Sequence, residues 1–323
     1  MKPRKTLSAL LTASLIALIA LFTPSTASAQ TSNTLGVFRG SGMPKEVAAY
    51  EKWLGEPVGY AVDFVGRAAA GATNPWSKID NPSWWCNQWK NSPYKLSLSA
   101  AMLPTTGFTL EAGAKGSYNS HWQKFGQSMV ANGCSKAILR LGWEFNGKFF
   151  PWAAGGKEAS YAAYWRQIVD TLRKVPGQAF LFDWCPLAGV NNAKVEAAYP
   201  GDNYVDIIGL DAYDTSTVSV STPEKRWENQ LTRVYGLNWH ANFARSHNKP
   251  MSFPEWGLTV RFKDSIGGGD DPNYITQSWR WIQSHNFAYA AYFEVDANNA
   301  DHRLMTPQFP KSSAEYRKLV NGG

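Results

Sequence analysis

The stretch Ala-Ile-Leu-Arg-Leu-Gly-Trp-Glu-Phe-Asn-Gly (137–147) has the pattern of a buried strand that ends in a carboxylate, Glu144. A second run, Pro-Met-Ser-Phe-Pro-Glu-Trp-Gly (250–257), has the same plan and ends at Glu255. Because side chains alternate along a strand, we expect every second residue from Ile138 to Glu144 to share one face. By the same rule, Met251, Phe253 and Glu255 should share one face of the second strand.

Strand-like runs recur along the chain with helical segments between them. Several are apolar almost throughout, which is typical of parallel strands covered on both faces. The alternation predicts an α/β fold, and eight units predict a closed (β/α)8 TIM barrel in a single domain. An open doubly wound sheet is the rival, but no Gly-x-Gly-x-x-Gly follows the first run. The runs are Leu35–Arg39, Tyr60–Val65, Lys95–Met102, Lys136–Glu144, Ala179–Cys185, Val205–Asp211, Pro250–Glu255 and Ala288–Glu294.

Helix signals fill the segments between these runs. One helix is predicted from about Lys157 to Lys174, where Val-Pro-Gly (175–177) follows it. Thr222 has the character of an N-cap and Pro223 suits the first helical position. We therefore expect a long helix to start there and continue toward His247.

The first 29 residues have the pattern of a secretory signal peptide, which leaves residues 30–323 as the barrel domain. A charged start is followed by a mostly apolar stretch and by Ala-Ser-Ala (27–29) before Gln30. The alternative of an uncleaved anchor is weakened by the shortness of the apolar stretch. No later segment is apolar enough to cross a bilayer, so the sequence predicts a secreted protein without a membrane partner.

Charge excludes one class of partner. The loss of Lys2, Arg4 and Lys5 with the signal peptide lowers the formal net charge from +7 to +4. This excess is small, and no run of basic residues accompanies it, so we expect no nucleic-acid partner. We find no interdomain linker, and we expect a monomer whose partner is a polysaccharide or oligosaccharide substrate.

Three cysteines in a secreted chain permit one disulfide with one thiol left over. Cys134 precedes the fourth predicted strand, and Cys86 lies on a short helix, Ser83 to Lys90, before the third. Neighbouring strands would bring these two cysteines together. Cys185 ends the fifth strand at the opposite end of the barrel, so we expect it to be free.

The two glutamates are the residues with the clearest chemical meaning. In a barrel of this kind, Glu144 and Glu255 would end the fourth and seventh strands, where the open face presents catalytic groups. Two converging carboxyls are what a glycosidase needs to cleave a glycosidic bond. Fifteen tryptophans fit a sugar-binding cleft, because a pyranose stacks on an aromatic face. Trp152 and Trp256 follow the candidate catalytic strands, so we expect both to contact substrate.

The same segments resemble glycoside hydrolase family 26, the β-mannanase family of clan A. The similarity lies in Arg140-x-x-x-Glu144-x-Asn146-Gly147 with the aromatic residues to Trp152, and in Val205 to Tyr213. Trp184-Cys185-Pro186 and Glu255-x-Gly257 are similar in a less specific way.

The resemblance implies a role for each matched residue. Glu144 would be the acid/base and Glu255 the nucleophile of a retaining endo-acting enzyme without a cofactor, and Tyr213 would orient Glu255. The expected substrate contacts are Arg140, Trp143, Asn146, Trp152, Trp184, Asp211, Tyr213 and Trp256.

Two departures from the family pattern leave the substrate open. The family usually has His before its acid/base, where this chain has Trp143, and a Trp near the end of strand eight, where this chain reads Tyr-Phe-Glu-Val-Asp (292–296). A β-1,3/1,4-glucanase or a hydrolase of bacterial exopolysaccharide or cell-wall glycan is the alternative. A secreted sugar-binding barrel without turnover is a further one, although it would predict loss of a carboxyl.

Other chemistries have little support. The five histidines show no metal-ligand spacing, so we expect them to be structural or surface residues and no metal to be bound. Gly-x-Ser-x-Gly is absent, which argues against a serine nucleophile of the α/β-hydrolase type. Asp183 alternates with Cys185 and could face the barrel axis or be a satisfied polar core residue.

Overall fold

The structure is a computed structural model that describes Met1 and residues 34–215, 222–264 and 266–322. Apart from Met1, the expected signal peptide lies outside the described residues. No helix in the described ranges combines the length and apolar character that a bilayer crossing requires.

Eight parallel strands close into a barrel, as the sequence predicted. Neighbouring barrel strands pair in chain order, and the eighth barrel strand (β10 below) pairs with both the first (β1) and the seventh (β8), which closes the ring. The barrel strands are β1 (Leu35–Phe38), β2 (Tyr60–Val65), β3 (Lys95–Ala100), β4 (Ile138–Leu141), β5 (Leu181–Trp184), β6 (Ile207–Gly209), β8 (Met251–Gly257) and β10 (Phe287–Phe293).

Short strands extend the barrel at its open end. β7 (Ala212–Tyr213) follows β6 and also pairs with β8. A small antiparallel sheet lies beyond β8 and β10 and consists of β9 (Val260–Arg261), β11 (Asp296–Ala297) and β12 (Ala300–Asp301). These additional strands lie at the carboxyl ends of the barrel strands, which is also the end where Glu144 and Glu255 are found.

Helices pack around the barrel. They are α1 (Pro44–Leu54), α2 (Ser77–Asp80), α3 (Ser83–Trp89), α4 (Leu110–Ala114), α5 (Asn119–Ala131), α6 (Glu158–Arg173), α7 (Pro223–Thr232), α8 (Leu237–Ser246), α9 (Pro272–Ser284) and α10 (Pro310–Val320), with 3-10 turns at Glu196–Ala198 and Asp202–Tyr204.

The predicted long helix from Thr222 toward His247 is wrong, because the chain forms α7 and α8 instead. Thr222 does cap α7 through its side chain. The helix ends at Thr232, its C-cap residue Arg233 has an extended ψ of 160°, and Tyr235 has a φ of 48°. Gly236 is then the N-cap residue of α8, which starts at Leu237. A left-handed residue between two turns of helix breaks the hydrogen-bond ladder, and hydrophobic spacing alone does not reveal it.

The barrel encloses its own small core, which is separate from the larger layer between strands and helices. Tyr289 lies at the centre of this inner core, where its hydroxyl donates to Asp183 Oδ2 at 2.7 Å. Ser252 Oγ donates to the same oxygen at 2.6 Å. Asp183 therefore faces the barrel axis as a buried, hydrogen-bonded core residue. Its burial raises the pKa of its carboxyl to about 6.

The cysteines are arranged as predicted. Cys86 on α3 and Cys134 before β4 form a disulfide, and Cys185 is a free, buried thiol. The disulfide joins the segments that lead into β3 and β4, so it ties together two neighbouring βα units.

Candidate active site

Glu144 lies in a turn after β4, which ends at Leu141. Both Gly142 (φ 47°) and Glu144 (φ 52°) have left-handed backbones. Glycine is needed at 142, because a Cβ there would lie 2.2 Å from Met102 Sδ. The Glu144 N–H donates to Cys185 O at 2.9 Å, which fixes the turn against the end of β5. A left-handed conformation at a non-glycine residue costs roughly 1–3 kcal/mol and is concentrated at functional sites.

Glu255 lies at the barrel mouth, the open end of the barrel at the carboxyl ends of its strands, because β8 is irregular. Ser252 faces the barrel axis, whereas Phe253 packs outward on His240 of α8, with ring centroids 5.7 Å apart. The register between β8 and β10 then shifts by one residue before Trp256. This shift turns Glu255 back to the inner side, three residues after Ser252. The prediction that Met251, Phe253 and Glu255 share one face is therefore wrong.

Arg140 organises the carboxylates beneath the mouth. The residue is fully buried, and its Nη2 donates to Glu255 Oε1. Its Nη1 contacts both Asp211 oxygens at 2.6 and 2.8 Å, and its Nε donates to Ser99 Oγ at 2.8 Å. The two carboxylates hold the pKa of Arg140 above its ordinary value against the opposing effect of burial. Arg140 and Asp211 are thus positioning residues, and the prediction that they contact substrate is wrong.

Tyr213 holds the second oxygen of Glu255. Its hydroxyl donates to Glu255 Oε2 at 2.6 Å, so Arg140 and Tyr213 each occupy a different oxygen of one carboxyl group. Charge-assisted bonds of this length are strong and directional. Glu255 is only 6% exposed, and the two bonds fix its orientation.

Glu144 lies in a different electrostatic environment. Crowding by protein atoms raises the pKa of its carboxyl, the negative charge of Glu255 raises it further, and Arg140 opposes the rise. The pKa of Glu144 is raised to about 8, so this carboxyl is mainly protonated at neutral pH. The Glu144 carboxyl therefore holds a proton, and the nearby Glu255 carboxyl accepts two charge-assisted hydrogen bonds.

An open groove of about 430 Å³ lies next to Trp143, the residue that precedes Glu144 in the chain. Trp143 and Phe150 line it, and Arg140 lies 5.6 Å from the centre of the Trp143 ring. The other lining residues are Gly66, Arg67, Ala68, Ala70, Thr105 and Trp152. Its aromatic wall provides the kind of face on which a sugar ring stacks.

Two of the predicted sugar contacts, Trp184 and Trp256, are wrong, because these side chains are buried in the core. Trp184 packs on Phe243 of α8, and Trp256 on Tyr316 of α10, so both point outward from the barrel. Trp152 is 0% exposed beneath Phe150, with ring centroids 4.5 Å apart. It supports the groove wall from behind.

Asn146 is also structural, which corrects its prediction as a substrate contact. Its Nδ2 donates to the carbonyls of Leu187 and Val190 at 2.8 Å, and its Oδ1 accepts from Leu187 N–H at 2.8 Å. The residue is fully buried. Asn146 therefore clamps the loop after β4 to the loop after β5.

Several residues at the mouth were not predicted from the sequence. Phe64 at the end of β2 and Phe293 at the end of β10 lie 6.4 Å apart and flank Trp143 and Tyr213 respectively. His302 lies 4.9 Å from the Tyr213 ring and donates from Nδ1 to Leu258 O at 2.7 Å. Strand-end position could have indicated the two phenylalanines. His302 follows the last barrel strand and carried no such signal.

The His, Cys, Asp and Glu side chains are scattered over the part of the chain that the structure describes. No group of three or more His, Cys, Asp or Glu side chains is placed there to hold an ion. His240, for example, is buried and bonded to Ile208 O at 2.7 Å.

A sequence model described as Glycosyl hydrolase family 26 matches residues 130–250. This segment includes β4, Glu144, β5, β6 and Tyr213, and it ends just before β8.

Curated relatives include two polysaccharide hydrolases. Endoglucanase H of Acetivibrio thermocellus is 27% identical over 220 residues, which cover 64% of this chain and 22% of that protein. Mannan endo-1,4-beta-mannosidase of Bifidobacterium adolescentis is 31% identical over 167 residues, which cover 50% and 16% respectively. The chain thus spans less than a quarter of the length of either relative.

Solved structures show the same fold. A modular endo-beta-1,4-mannanase from Cellulomonas fimi superimposes with a TM-score of 0.64 at 19% identity, covering 90% of this chain and 70% of that one. The catalytic domain of an endo-beta-1,4-mannanase from Bacillus sp. JAMB-750 also gives 0.64, at 18% identity, covering 89% and 85%.

Proposed function

We propose that the chain is a member of glycosyl hydrolase family 26 and that it hydrolyses internal bonds of a β-mannan-like polysaccharide with retention of configuration; the match of that family's model to residues 130–250 supports this. The observation that carries this proposal is the contrast between its two carboxyls. Glu144 has a pKa raised to about 8, whereas Glu255 accepts hydrogen bonds from Arg140 and Tyr213. Carboxyls in contrasting environments are how glycosidases separate an acid from a nucleophile.

The reaction would proceed in two displacements. Glu255 attacks the anomeric carbon, and the bond to the leaving oxygen breaks as Glu144 transfers its proton to that oxygen. Glu144, now a carboxylate, then removes a proton from water as the water attacks the anomeric carbon. The bond to Glu255 breaks, and both carboxyls return to their starting states.

The surrounding residues would favour this cycle in two ways. Arg140 and Tyr213 hold both Glu255 oxygens, which keeps the carboxylate aimed before the sugar arrives. Loss of the Glu255 charge on forming the covalent intermediate removes one of the causes that raise the Glu144 pKa. With this lower pKa, Glu144 stays ionised after it has given up its proton, so its carboxylate is available to take a proton from water at the stage that needs a base.

A β-glucan is the second candidate substrate. It is favoured by the relative named Endoglucanase H, which matches a longer stretch of this chain than the mannosidase does. Purified protein should be incubated with mannans, mixed-linkage glucan, xylan and bacterial wall glycans, with release of reducing ends as the readout. Cleavage of mannan above all others supports the first candidate, and a preference for glucan would support the second.

Variants at the two glutamates test the mechanism. Glu255→Ala should abolish turnover on every substrate. Glu144→Ala should still react with an aryl glycoside that has a good leaving group and then stall, and azide should restore turnover with a product of retained configuration. Glu224→Ala, on the exposed first turn of α7, is the control. Azide rescue of Glu255→Ala with retention would reverse the two roles.

Secretion is part of the same proposal, because a polysaccharide is too large to enter a cell before it is cleaved. The pattern Ala-Ser-Ala (27–29) before Gln30 supports cleavage there. Expression of the full chain in a bacterial host and N-terminal sequencing of protein from the medium should find Gln30 first. An intact N-terminus in the cell fraction would contradict it.

A further inference from the structure

The groove next to Trp143 contains a cation, Arg67, that has no partner among the residues that the structure describes. Arg67, in the loop after β2, lines the same groove as Trp143 and Phe150 and is partly exposed. Its guanidinium makes no hydrogen bond or ion pair with the residues that the structure describes. An arginine has five N–H donors, so this side chain offers unused binding capacity to whatever enters the groove.

Other arginines at this end of the barrel are neutralised by protein carboxylates. Arg140 pairs with Asp211 and Glu255, and Arg226 pairs with Asp214 at 2.6 Å. Their positive charges are therefore used inside the fold. Arg67 differs because its charge remains available to a ligand.

The residues around Arg67 add to the positive potential of this wall of the groove. A smaller cavity that shares Gly66, Arg67 and Ala68 with the groove is also lined by Lys78, which is exposed. No aspartate or glutamate lines either cavity. Two cations without a nearby acid in the lining give this wall a positive potential, which attracts anions.

We propose that the groove binds a sugar unit that carries a carboxylate, so that the preferred polysaccharide is acidic. This inference rests on the proposed function, because it takes the groove to hold the glycan next to the cleaved bond. Trp143 and Phe150 would stack on the sugar ring, while the planar fork of Arg67 would pair with its carboxylate in a bidentate manner. Trp143 precedes Glu144 in the chain, so this unit would lie close to the acid/base.

A matched set of polysaccharides tests the proposal. A galactomannan is oxidised in part at C6 to carboxylates, and half of the product is reduced back to the neutral polymer. Binding is measured by affinity electrophoresis in a Glu144→Gln background, which prevents cleavage while keeping this side chain neutral. The variants are Arg67→Gln, Arg67→Lys and, as control, Lys174→Gln, an exposed cation that follows α6 at the other end of the barrel.

The chain with Arg67 intact should bind the oxidised polymer roughly tenfold more tightly than the reduced one, since the pair is partly exposed. Arg67→Gln should remove that preference, Arg67→Lys should keep part of it, and Lys174→Gln should leave it unchanged. Added salt should weaken binding of the oxidised polymer and leave binding of the reduced polymer unchanged. Equal binding of the two polymers, equal weakening of both by Arg67→Gln, or no binding at all would overturn the proposal.

Hydrolysis by the chain with an intact Glu144 separates this inference from the proposed function. An Arg67-dependent preference in binding without any cleavage would retain the acidic groove and refute the hydrolase. Cleavage of neutral mannan without such a preference would retain the hydrolase and refute the acidic groove.

Discussion

Replacement of Tyr213 by phenylalanine removes one hydrogen bond from Glu255 and leaves the aromatic ring in place. The lost bond is 2.6 Å long and goes to a carboxylate, and bonds of this kind contribute roughly 1.5–3 kcal/mol. If the bond aims the nucleophile in the transition state, kcat/KM should fall by about 10- to 150-fold, because about 1.4 kcal/mol corresponds to a factor of ten. Arg140 still holds Oε1, so the fold should persist.

The assay compares kcat/KM on the best glycan from the substrate screen with the free energy of unfolding in urea. Tyr94→Phe is a matched control, because Tyr94 donates to Glu51 at 2.8 Å in a Tyr–Glu pair that precedes β3 at the closed end. It should change stability and leave kcat/KM as it was. If Tyr213→Phe kept kcat/KM within twofold of the original, or if Tyr94→Phe lost as much, the positioning role would be refuted.

Three further expectations concern pH and stability. Activity should fall as pH rises through about 8, where Glu144 loses its proton. Because its folded pKa is raised from 4.5 to about 8, the protein should lose stability as pH rises between these two values, so Glu144→Gln should be more stable relative to the original chain at pH 9 than at pH 4 in urea titrations. Replacing Cys86 and Cys134 by alanine opens a link across 48 residues and should cost about 4 kcal/mol in denaturant unfolding. Asn146→Ala loses three hydrogen bonds and should cost about 2–3 kcal/mol by the same measurement. These expectations would be contradicted if the basic side of the pH–activity profile fell well below pH 7. They would also be contradicted if the cysteine or Asn146 variants lost less than about 1 kcal/mol of unfolding free energy.

The fold was predictable because apolar strand runs and helices alternate at a regular spacing. All eight predicted strand runs overlap barrel strands, and the limits of β2 agree at both ends. The long helix from Thr222 failed at Arg233, where local backbone angles, and not hydrophobic spacing, end the helix. The disulfide was predictable because barrel topology alone brings Cys86 near Cys134.

The sugar contacts were less predictable, because position next to a catalytic strand does not determine which way a side chain points. Trp184 and Trp256 follow inward-facing positions and therefore point to the helices. Phe64 and Phe293, which do line the mouth, were passed over because a phenylalanine at a strand end has the same pattern as a core residue. Aromatic identity indicates that a ring is needed but leaves its direction open.

Both candidate catalytic carboxyls reach the mouth where the backbone leaves regular strand geometry. Simple alternation from Ser252 would have turned Glu255 outward, toward the helices, and the register shift in β8 reverses that direction. Glu144 reaches the cleft through a left-handed turn after β4 has ended. Regular strands would deliver side chains only at fixed heights and faces. These two irregularities instead bring Glu144 and Glu255 close enough for the charge of one to raise the pKa of the other. The cost in backbone strain is therefore explained by the chemistry that it makes possible.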